Sequence, residues 1–151
     1  MSGDTRPRSE PCTCLAVRQA ARHITQTYDQ YLMQVGLRTT QFSILSKLRR
    51  LGPMTINALA DELVMDRTTL GRNILPLERE GLIAIVPDRT DRRSKELRLT
   101  SSGVRRLRAA VKCWEKAQSG FDAAFGRARA ADFRAVLRAA AATEFASPPA
   151  R

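Results

Sequence analysis

Hydrophobic side chains recur at every third or fourth position through several stretches of this chain, the spacing of helices that bury one face. The first stretch begins near Leu15 and ends at Gly36. The second begins after Thr39 or Thr40 and stops before Pro53, because proline disfavours helix in the residue that precedes it. Two amphipathic helices are therefore predicted in the first third of the chain.

Two shorter helices are predicted next. Thr55 is a good N-cap for the third helix, and Asp66 is a good N-cap for the fourth. Gly81 follows the fourth helix in the position where a left-handed residue ends helices. Pro76 lies inside that helix, and we expect it to kink or end the regular part because it removes one backbone hydrogen bond.

The pattern then changes from a helical to an alternating period. Leu82–Val86 is a short apolar, β-branched run, and residues 95–100 alternate, with Leu97 and Leu99 on one side. The polar and charged residues 87–94 separate the two runs. This arrangement predicts a β-hairpin with a charged tip.

Two helices complete the pattern. The fifth begins at Thr100 or Ser101, and one side of it is expected to form a helix–helix contact. That side consists of Val104, Leu107, Val111, Trp114, Gln118, Phe121 and Phe125. The sixth helix spans about residues 129–145 and ends with Phe145. The fold class is therefore mainly α with a small β-wing.

These elements form one domain, predicted to span residues 12–145. The flanking segments 1–11 and 146–151 are rich in proline and polar residues, and we expect a disordered N-terminal arm and a disordered tail. The longest run without a charged residue, Leu51–Ala60, has ten residues. A membrane span needs about 18 to 20 apolar residues, so no membrane partner is expected. Residues 1–11 also lack the apolar core of a signal peptide, which predicts a cytoplasmic protein.

The chain is strongly basic. Its 151 residues include 26 Lys and Arg against 15 Asp and Glu, which gives a formal net charge of +11. Residues 66–108 hold eleven of the basic and six of the acidic side chains, a net charge of +5. A positive excess concentrated in one stretch indicates a docking surface for nucleic acid.

A pair of short helices followed by a charged hairpin indicates a winged helix-turn-helix. The second helix of such a pair enters the major groove of DNA, and an arginine at the hairpin tip can enter the minor groove. The helix offers Arg67, Thr68, Thr69, Arg72 and Asn73. The hairpin offers Arg89, Arg92, Arg93 and Lys95. Thr55 and Asp91 complete the residues predicted to form the double-stranded DNA interface.

Residues 55–63, 65–70 and 77–83, then Asp91-x-Arg93 and residues 97–103, follow one another in this order. Together they resemble the MarR (multiple antibiotic resistance regulator) family of bacterial transcription factors. The resemblance extends over about residues 13–145 and is most specific at the hairpin. It implies that Arg93 enters the minor groove and that Asp91 orients the hairpin. It also implies a homodimer that binds a pseudo-palindromic site and usually represses.

The resemblance divides the domain into two parts. The winged helix-turn-helix spans about residues 39–100, and the dimerisation helices span about residues 12–35 and 101–145. The residues themselves also favour a dimer, because one module makes few base contacts and two-fold repetition gives a specific site. The alternative is that the apolar side of the fifth helix packs only within its own subunit.

Three cysteines raise the question of thiol sensing. Cys14 lies near the start of the first helix, where the helix dipole favours a thiolate. By resemblance to the organic-hydroperoxide-responsive branch of the family, Cys14 is the peroxide-sensing position and Tyr28 is one of its supporting tyrosines. Cys113 could then resolve an oxidised Cys14 as a disulfide. The open alternatives are a soft-metal site formed by Cys12, Cys14 and Cys113, and no sensory role.

A small aromatic or phenolic ligand is the other signal that the resemblance implies. The predicted pocket residues are Arg18, His23, Tyr31, Phe42 and Trp114. Aromatic side chains at these positions would fit an ordinary core equally well.

No catalytic constellation is visible. The chain has one histidine, no Gly-rich phosphate loop and no paired carboxylates on an apolar face, so we expect neither an enzyme nor a cofactor. The competing class is a basic RNA-binding or DNA-architectural protein without ligand control. Such proteins stack or insert exposed aromatic or apolar side chains, and residues 66–108 contain no Phe, Tyr or Trp. Duplex DNA is therefore the favoured partner.

Overall fold

A computed structural model of the chain describes residues 11–150. The predicted disorder of residues 1–11 falls outside the described residues except for Pro11. At the other end, residues 144–150 are exposed and belong to no helix or strand. Within residues 11–150, no helix combines the length and the apolar character that a membrane span requires.

Six α-helices and three β-strands make up the described residues. The helices are α1 (Thr13–Leu32), α2 (Thr39–Leu51), α3 (Ile56–Leu63), α4 (Arg67–Arg79), α5 (Ser101–Phe125) and α6 (Arg127–Ala142). The strands are β1 (Met54–Thr55), β2 (Ile83–Pro87) and β3 (Lys95–Leu99). A short 3₁₀ turn, Met33–Val35, extends α1 toward α2. The fold is a mainly helical winged helix, as predicted.

Local side chains and glycines bound the helices where the sequence predicted. Thr55, Asp66 and Thr100 each accept a hydrogen bond from the backbone N–H three residues later, at 3.1, 2.8 and 3.0 Å. Each acceptor satisfies a donor that the first helical turn leaves without a backbone partner. Gly36 and Gly81 follow their helices with φ angles of +71° and +70°, a conformation that costs glycine little.

Pro76 was expected to kink or end the fourth helix. The helix continues through Pro76 as far as Arg79, so it does not end at the proline. The buried side chains Leu70, Ile74 and Leu77 hold the helix against the rest of the domain on both sides of the proline. This packing stabilises the helix despite the backbone hydrogen bond that proline removes.

The sheet has three antiparallel strands in the order β1-β3-β2. The predicted hairpin is confirmed as β2 and β3, with Ile83 opposite Leu99 and Ile85 opposite Leu97. The third strand, β1, was not predicted, and it places Met54 opposite Leu97. It joins the start of α3 to the hairpin through backbone hydrogen bonds.

The core lies mainly between α2, α3, α4 and the sheet. Its fully buried large side chains are Leu32, Leu37, Ile44, Leu45, Leu59, Leu70, Ile74, Leu77, Leu82, Ile83 and Leu97. We call the elements from α2 to β3 the winged-helix part, and α1, α5 and α6 the helical lobe. The two parts meet where α2 packs on α5 and α1.

The helical lobe differs from the prediction in two details. The side of α5 that is buried within the chain consists of Gly103, Leu107, Ala110, Cys113 and Ala117. Of the predicted contact positions only Leu107 is fully buried, and the others are half-buried. The sixth helix ends at Ala142, and Phe145 lies beyond it with 80% of its surface exposed. A helical period identifies an apolar side of α5, but the direction of closest packing depends on which helices cross it.

Candidate DNA-binding interface

The fourth helix presents a polar side to solvent from its first turn. Arg67, Thr68 and Arg72 are exposed there. Thr69 uses its hydroxyl to donate to Asp66 Oδ2 at 2.6 Å, which leaves its oxygen able to accept from a partner. Asn73 Nδ2 donates to the Thr69 carbonyl at 2.9 Å. Exposed arginines near a helix N-terminus are suited to contact base edges and phosphates.

Asp66 fixes the start of this helix. Its carboxylate accepts from the Thr69 hydroxyl and from the Thr69 backbone N–H. Hydrogen bonds to the ionised form, first from the Thr69 side chain and then from its backbone, hold the pKa of Asp66 below its ordinary value. Asp66 is therefore a negative charge that caps the helix, and it stands beside the arginines that face outward.

The hairpin and its loop, residues 83–99, form the wing. The loop is held by short-range hydrogen bonds: the Arg93 N–H donates to Asp91 Oδ1 at 3.0 Å, and the Asp88 N–H donates to the Ser94 carbonyl at 2.9 Å. Arg93 itself is exposed. Asp91 thus holds the backbone at Arg93. Arg89, Arg92 and Lys95 are exposed on the same wing.

A cavity of about 460 Å³, the wing cleft, lies between the wing and the starts of α3 and α4. It is lined by Thr55, Ile56, Asn57, Arg67, Asp91, Arg93, Ser94 and Lys95. The structure therefore brings together five of the predicted residues from three separate segments. The remaining six lie farther along α4 or at the wing tip. Three cationic side chains against one carboxylate make the cleft suited to an anionic partner.

Asn57 is one of two polar residues in this cleft that sequence reasoning missed, the other being Ser94 in the wing. Asn57 is exposed in the first turn of α3, two residues after the Thr55 cap. Its position beside a helix N-terminus was a usable signal, because backbone N–H groups there attract phosphate. The prediction concentrated on α4 and the wing and did not extend to this turn.

The three cysteines lie in different surroundings. Cys12 caps α1, where its sulfur accepts from the Leu15 N–H at 3.3 Å, and Cys14 is exposed in the same turn. Cys113 is buried in the core. Within residues 11–150, no group of three or more His, Cys, Asp or Glu is arranged to hold a metal ion. A single chain thus does not assemble the soft-metal site considered for the three cysteines.

Tyr28 has a partner other than Cys14. Its hydroxyl donates to Gln118 Oε1 on α5 at 2.8 Å, and burial, with a smaller contribution from Asp122, raises the pKa of Tyr28. Fourteen helical residues separate Tyr28 from Cys14, which corresponds to about 21 Å along α1. Within one chain, therefore, Tyr28 does not support Cys14 as the resemblance implied.

The predicted ligand residues are split between two places. His23 and Tyr31 line an open groove of about 620 Å³ between α1, α5 and α6, which we call the lobe groove. Phe42 and Trp114 instead stack on one another, with ring centroids 6.2 Å apart, at the core. Arg18 is exposed on α1 and is not among the groove residues. The prediction that these five residues form one pocket is therefore wrong for a single chain.

The lobe groove is strongly apolar and aromatic. Beside His23 and Tyr31 it is lined by Ala20, Ile24, Thr27, Tyr28, Ala117, Gly120, Phe121, Ala124, Phe125 and Phe133. Phe121, Phe125 and Phe133 form an aromatic cluster with centroid separations between 5.3 and 6.4 Å. Such an open apolar groove marks a surface that another molecule can cover.

The winged-helix part, with its basic cleft and exposed arginines, defines a DNA-binding transcriptional regulator. Residues 37–95 match the model of the MarR family. The transcriptional regulator MosR of M. tuberculosis, solved in complex with DNA, is 35% identical and has a TM-score of 0.74. That match covers 89% of this chain and 99% of the MosR chain. The chain belongs to the MarR family.

Two further proteins are similar to this chain, with different sequence identities and coverage. The transcriptional activatory protein BadR of Rhodopseudomonas palustris is 35% identical over 88 residues, which are 56% of this chain and 50% of BadR. The chain thus matches about half the length of that relative. Bordetella bronchiseptica BpsR, solved in work on its regulation by 6-hydroxynicotinic acid, is 20% identical with a TM-score of 0.81. That match covers 91% of this chain and 98% of the BpsR chain, and it concerns the fold alone.

Proposed function

We propose that this chain is a homodimeric repressor that binds a pseudo-palindromic operator in double-stranded DNA. The observation that carries the proposal is the wing cleft, where the starts of α3 and α4 and the wing arginine Arg93 meet. A helix in the major groove and a wing in the adjacent minor groove would hold the duplex at two points. A regulator of this kind acts in the cytoplasm, where the DNA is, and performs no catalysis.

The helical lobe supports the homodimer. Within α6 only Ala130 is buried, while Val136 and Leu137 are 66% and 39% exposed. The lobe groove lies open beside this helix. In a two-fold dimer, the apolar helix of each chain can cover the apolar groove of the other chain. We propose that a second copy of this chain occupies the groove.

The dimer explains the form of the operator. Two chains related by a two-fold axis carry two copies of α4, and each copy reads one half-site. Half-sites of such regulators lie about one helical turn of DNA apart, or a multiple of it. An inverted repeat with a fixed spacing is therefore the expected target.

The test is a selection of duplexes from a randomised pool with the full chain. We expect an inverted repeat to be enriched, with two chains bound per duplex and an affinity that falls steeply with salt. Tighter binding to single-stranded RNA, or binding to DNA without sequence preference, would contradict the proposal and favour the RNA-binding or architectural alternative. A reporter with the selected site across its promoter distinguishes repression from activation.

We propose thiol oxidation at Cys14 as the signal that releases DNA. Cys14 is exposed in the first turn of α1. Its thiolate would attack an organic hydroperoxide, so that an S–O bond forms, the O–O bond breaks, and a sulfenic acid and an alcohol result. Resolution by Cys113 of the same chain is disfavoured, because that thiol is buried in the core.

The experiment titrates DNA-bound protein with cumene hydroperoxide. We expect Cys14→Ser to keep its DNA at oxidant levels that release the wild type. The matched control is Cys12→Ser, because serine preserves a cap at the start of α1. Release of Cys14→Ser at the wild-type dose would contradict the redox proposal.

A small aromatic ligand that competes with the second copy for the lobe groove is a second candidate signal. The observation that favours it is the aromatic lining of the lobe groove, with His23 and Tyr31 as polar groups. A bound aromatic acid would stack on the phenylalanines and place its carboxylate near His23. Salicylic and hydroxybenzoic acids should then raise the melting temperature and release DNA, and His23→Ala should abolish both effects. Unchanged melting with every acid would exclude this candidate.

A further inference from the structure

Arg106 connects three separate segments of the chain. Its Nη1 donates to the backbone carbonyl of Val35 at 3.2 Å and to Glu80 Oε2, also at 3.2 Å. Val35 ends the turn that follows α1, and Glu80 directly follows α4. Arg106 itself lies near the start of α5. One guanidinium group thus joins the helical lobe to the end of the helix that faces DNA.

The backbone is closely packed at the same place. The Thr100 hydroxyl donates to the Gly81 carbonyl at 2.6 Å, and the Thr100 N–H donates to the Leu82 carbonyl at 3.1 Å. A Cβ atom on Gly103 would overlap that Leu82 carbonyl and lie 2.7 Å from Leu99 Cδ1. Residues 81 and 82, which follow α4, are therefore packed closely against the start of α5.

Arg106 adds the link to α1 that these contacts lack. A Cβ atom on Gly36 would lie 3.3 Å from Arg106 Nη1, so the turn after α1 approaches the guanidinium closely. The neighbouring Arg105 lines the same small cleft of about 480 Å³, but it donates to Ser102 within its own helix. Both arginines carry one positive charge. Arg106 joins separate segments of the chain, whereas Arg105 bonds within α5.

We propose that Arg106 is a positioning residue that sets the orientation of α4 relative to the helical lobe. Because α5 belongs to that lobe and is fixed to the end of α4, the angle at this junction determines the distance between the two copies of α4 in the dimer. This inference rests on the proposed function. It predicts that Arg106 controls the half-site spacing that the protein prefers.

The test measures affinity of the full chain for the duplex selected by the wild type and for versions with one or two base pairs inserted or removed between half-sites. We expect the wild type to prefer its own spacing by about tenfold or more. Arg106→Met keeps the aliphatic stem and should reduce that preference to about threefold or less. Arg105→Met removes the same charge in the same cleft and should keep the wild-type preference.

Two results would overturn the inference. One is an Arg106→Met spacing profile equal to that of the wild type, and the other is an equal change in Arg105→Met, which would mean that charge alone matters. If Arg106→Met does not fold, Glu80→Ala removes one acceptor of the link and should weaken the preference in the same direction.

A measurement without DNA separates this inference from the proposed function. Arg106→Met should speed amide hydrogen exchange at residues 35–37 and 80–82, and Arg105→Met should not. A wild type without any preferred spacing would contradict the dimeric regulator, and hydrogen exchange would still decide whether Arg106 holds the junction. Unchanged exchange in Arg106→Met would overturn the junction itself.

Discussion

The winged-helix part and the helical lobe place their apolar side chains differently. In the winged-helix part, Ile44, Leu59 and Leu70 are fully buried, while Val64 and Leu75 are exposed outside the core. In the helical lobe, α6 buries a single alanine and leaves Val136 66% exposed. The winged-helix part therefore encloses a core of its own, whereas α6 leaves most of its side chains uncovered by the rest of the chain.

The two parts also differ in the role of charge. Residues 66–108, which include α4 and the wing, hold a net charge of +5, and three of their cationic side chains, Arg67, Arg93 and Lys95, line the wing cleft. In the lobe groove the lining is mainly apolar and aromatic. The wing cleft is therefore suited to an anionic partner, and the lobe groove is suited to an apolar one.

The largest expected effect comes from placing charge on the exposed side of α6. The double variant Val136→Glu, Leu137→Glu should be a monomer, because two carboxylates cannot be buried in an apolar groove. Loss of the second module should weaken operator binding by about a hundredfold or more. Light scattering gives the mass in solution, and fluorescence anisotropy gives the affinity.

The matched control is Ala131→Glu, Ala135→Glu, which adds the same charges to exposed positions on the other side of α6. It should remain a dimer. A first variant that stays dimeric and keeps its affinity would show that α6 does not contribute to the dimer surface.

The next effect concerns the junction between the two parts. Gly103→Ala should destabilise the protein by about 3 kcal/mol, because the added methyl group overlaps the Leu82 carbonyl and the backbone must shift. Gly71→Ala is the control: no atom lies within 4 Å of its added Cβ, and alanine favours helix by about 0.5 to 1 kcal/mol. Urea unfolding at one fixed protein concentration measures both. A Gly103→Ala protein as stable as the wild type would mean that the junction is not tightly packed.

The smallest effect is the pH dependence of the α4 cap. Because the folded protein holds the pKa of Asp66 below its ordinary value of 3.8, the ionised carboxylate stabilises the fold. That contribution is complete above the ordinary value and is lost as the pH falls through the lower folded value. The stability difference between wild type and Asp66→Asn should therefore shrink below pH 3.8. A difference that stays constant down to pH 2 would contradict the capping account.

Local features were predictable from the sequence because a few neighbouring residues determine them. Thr55, Asp66 and Gly81 bound helices through contacts within three or four residues. Strand β1 could not be predicted in this way, since it exists only because Met54 pairs with the distant Leu97.

The candidate site likewise combines residues that a local motif identifies with residues that lie elsewhere in the sequence. The motif around Asp91 and Arg93 was sufficient to identify the wing, but the wing cleft also contains Asn57, which only the folded chain brings there. Phe42 and Trp114 were assigned to a ligand pocket from their helical faces. They stack at the core because of the way α2 and α5 cross, which periodicity does not specify.

The DNA-binding surface is tested by removing one arginine from each part of the molecule. Arg93→Ala in the wing and Arg138→Ala on the exposed surface of α6 both lose one positive charge, and both are titrated with the duplex selected by the wild type at one salt concentration. We expect Arg93→Ala to weaken binding by about tenfold or more, as the loss of a groove contact does, while Arg138→Ala stays within about twofold of the wild type. Equal losses in the two variants would contradict the assignment of α4 and the wing as the DNA-binding surface.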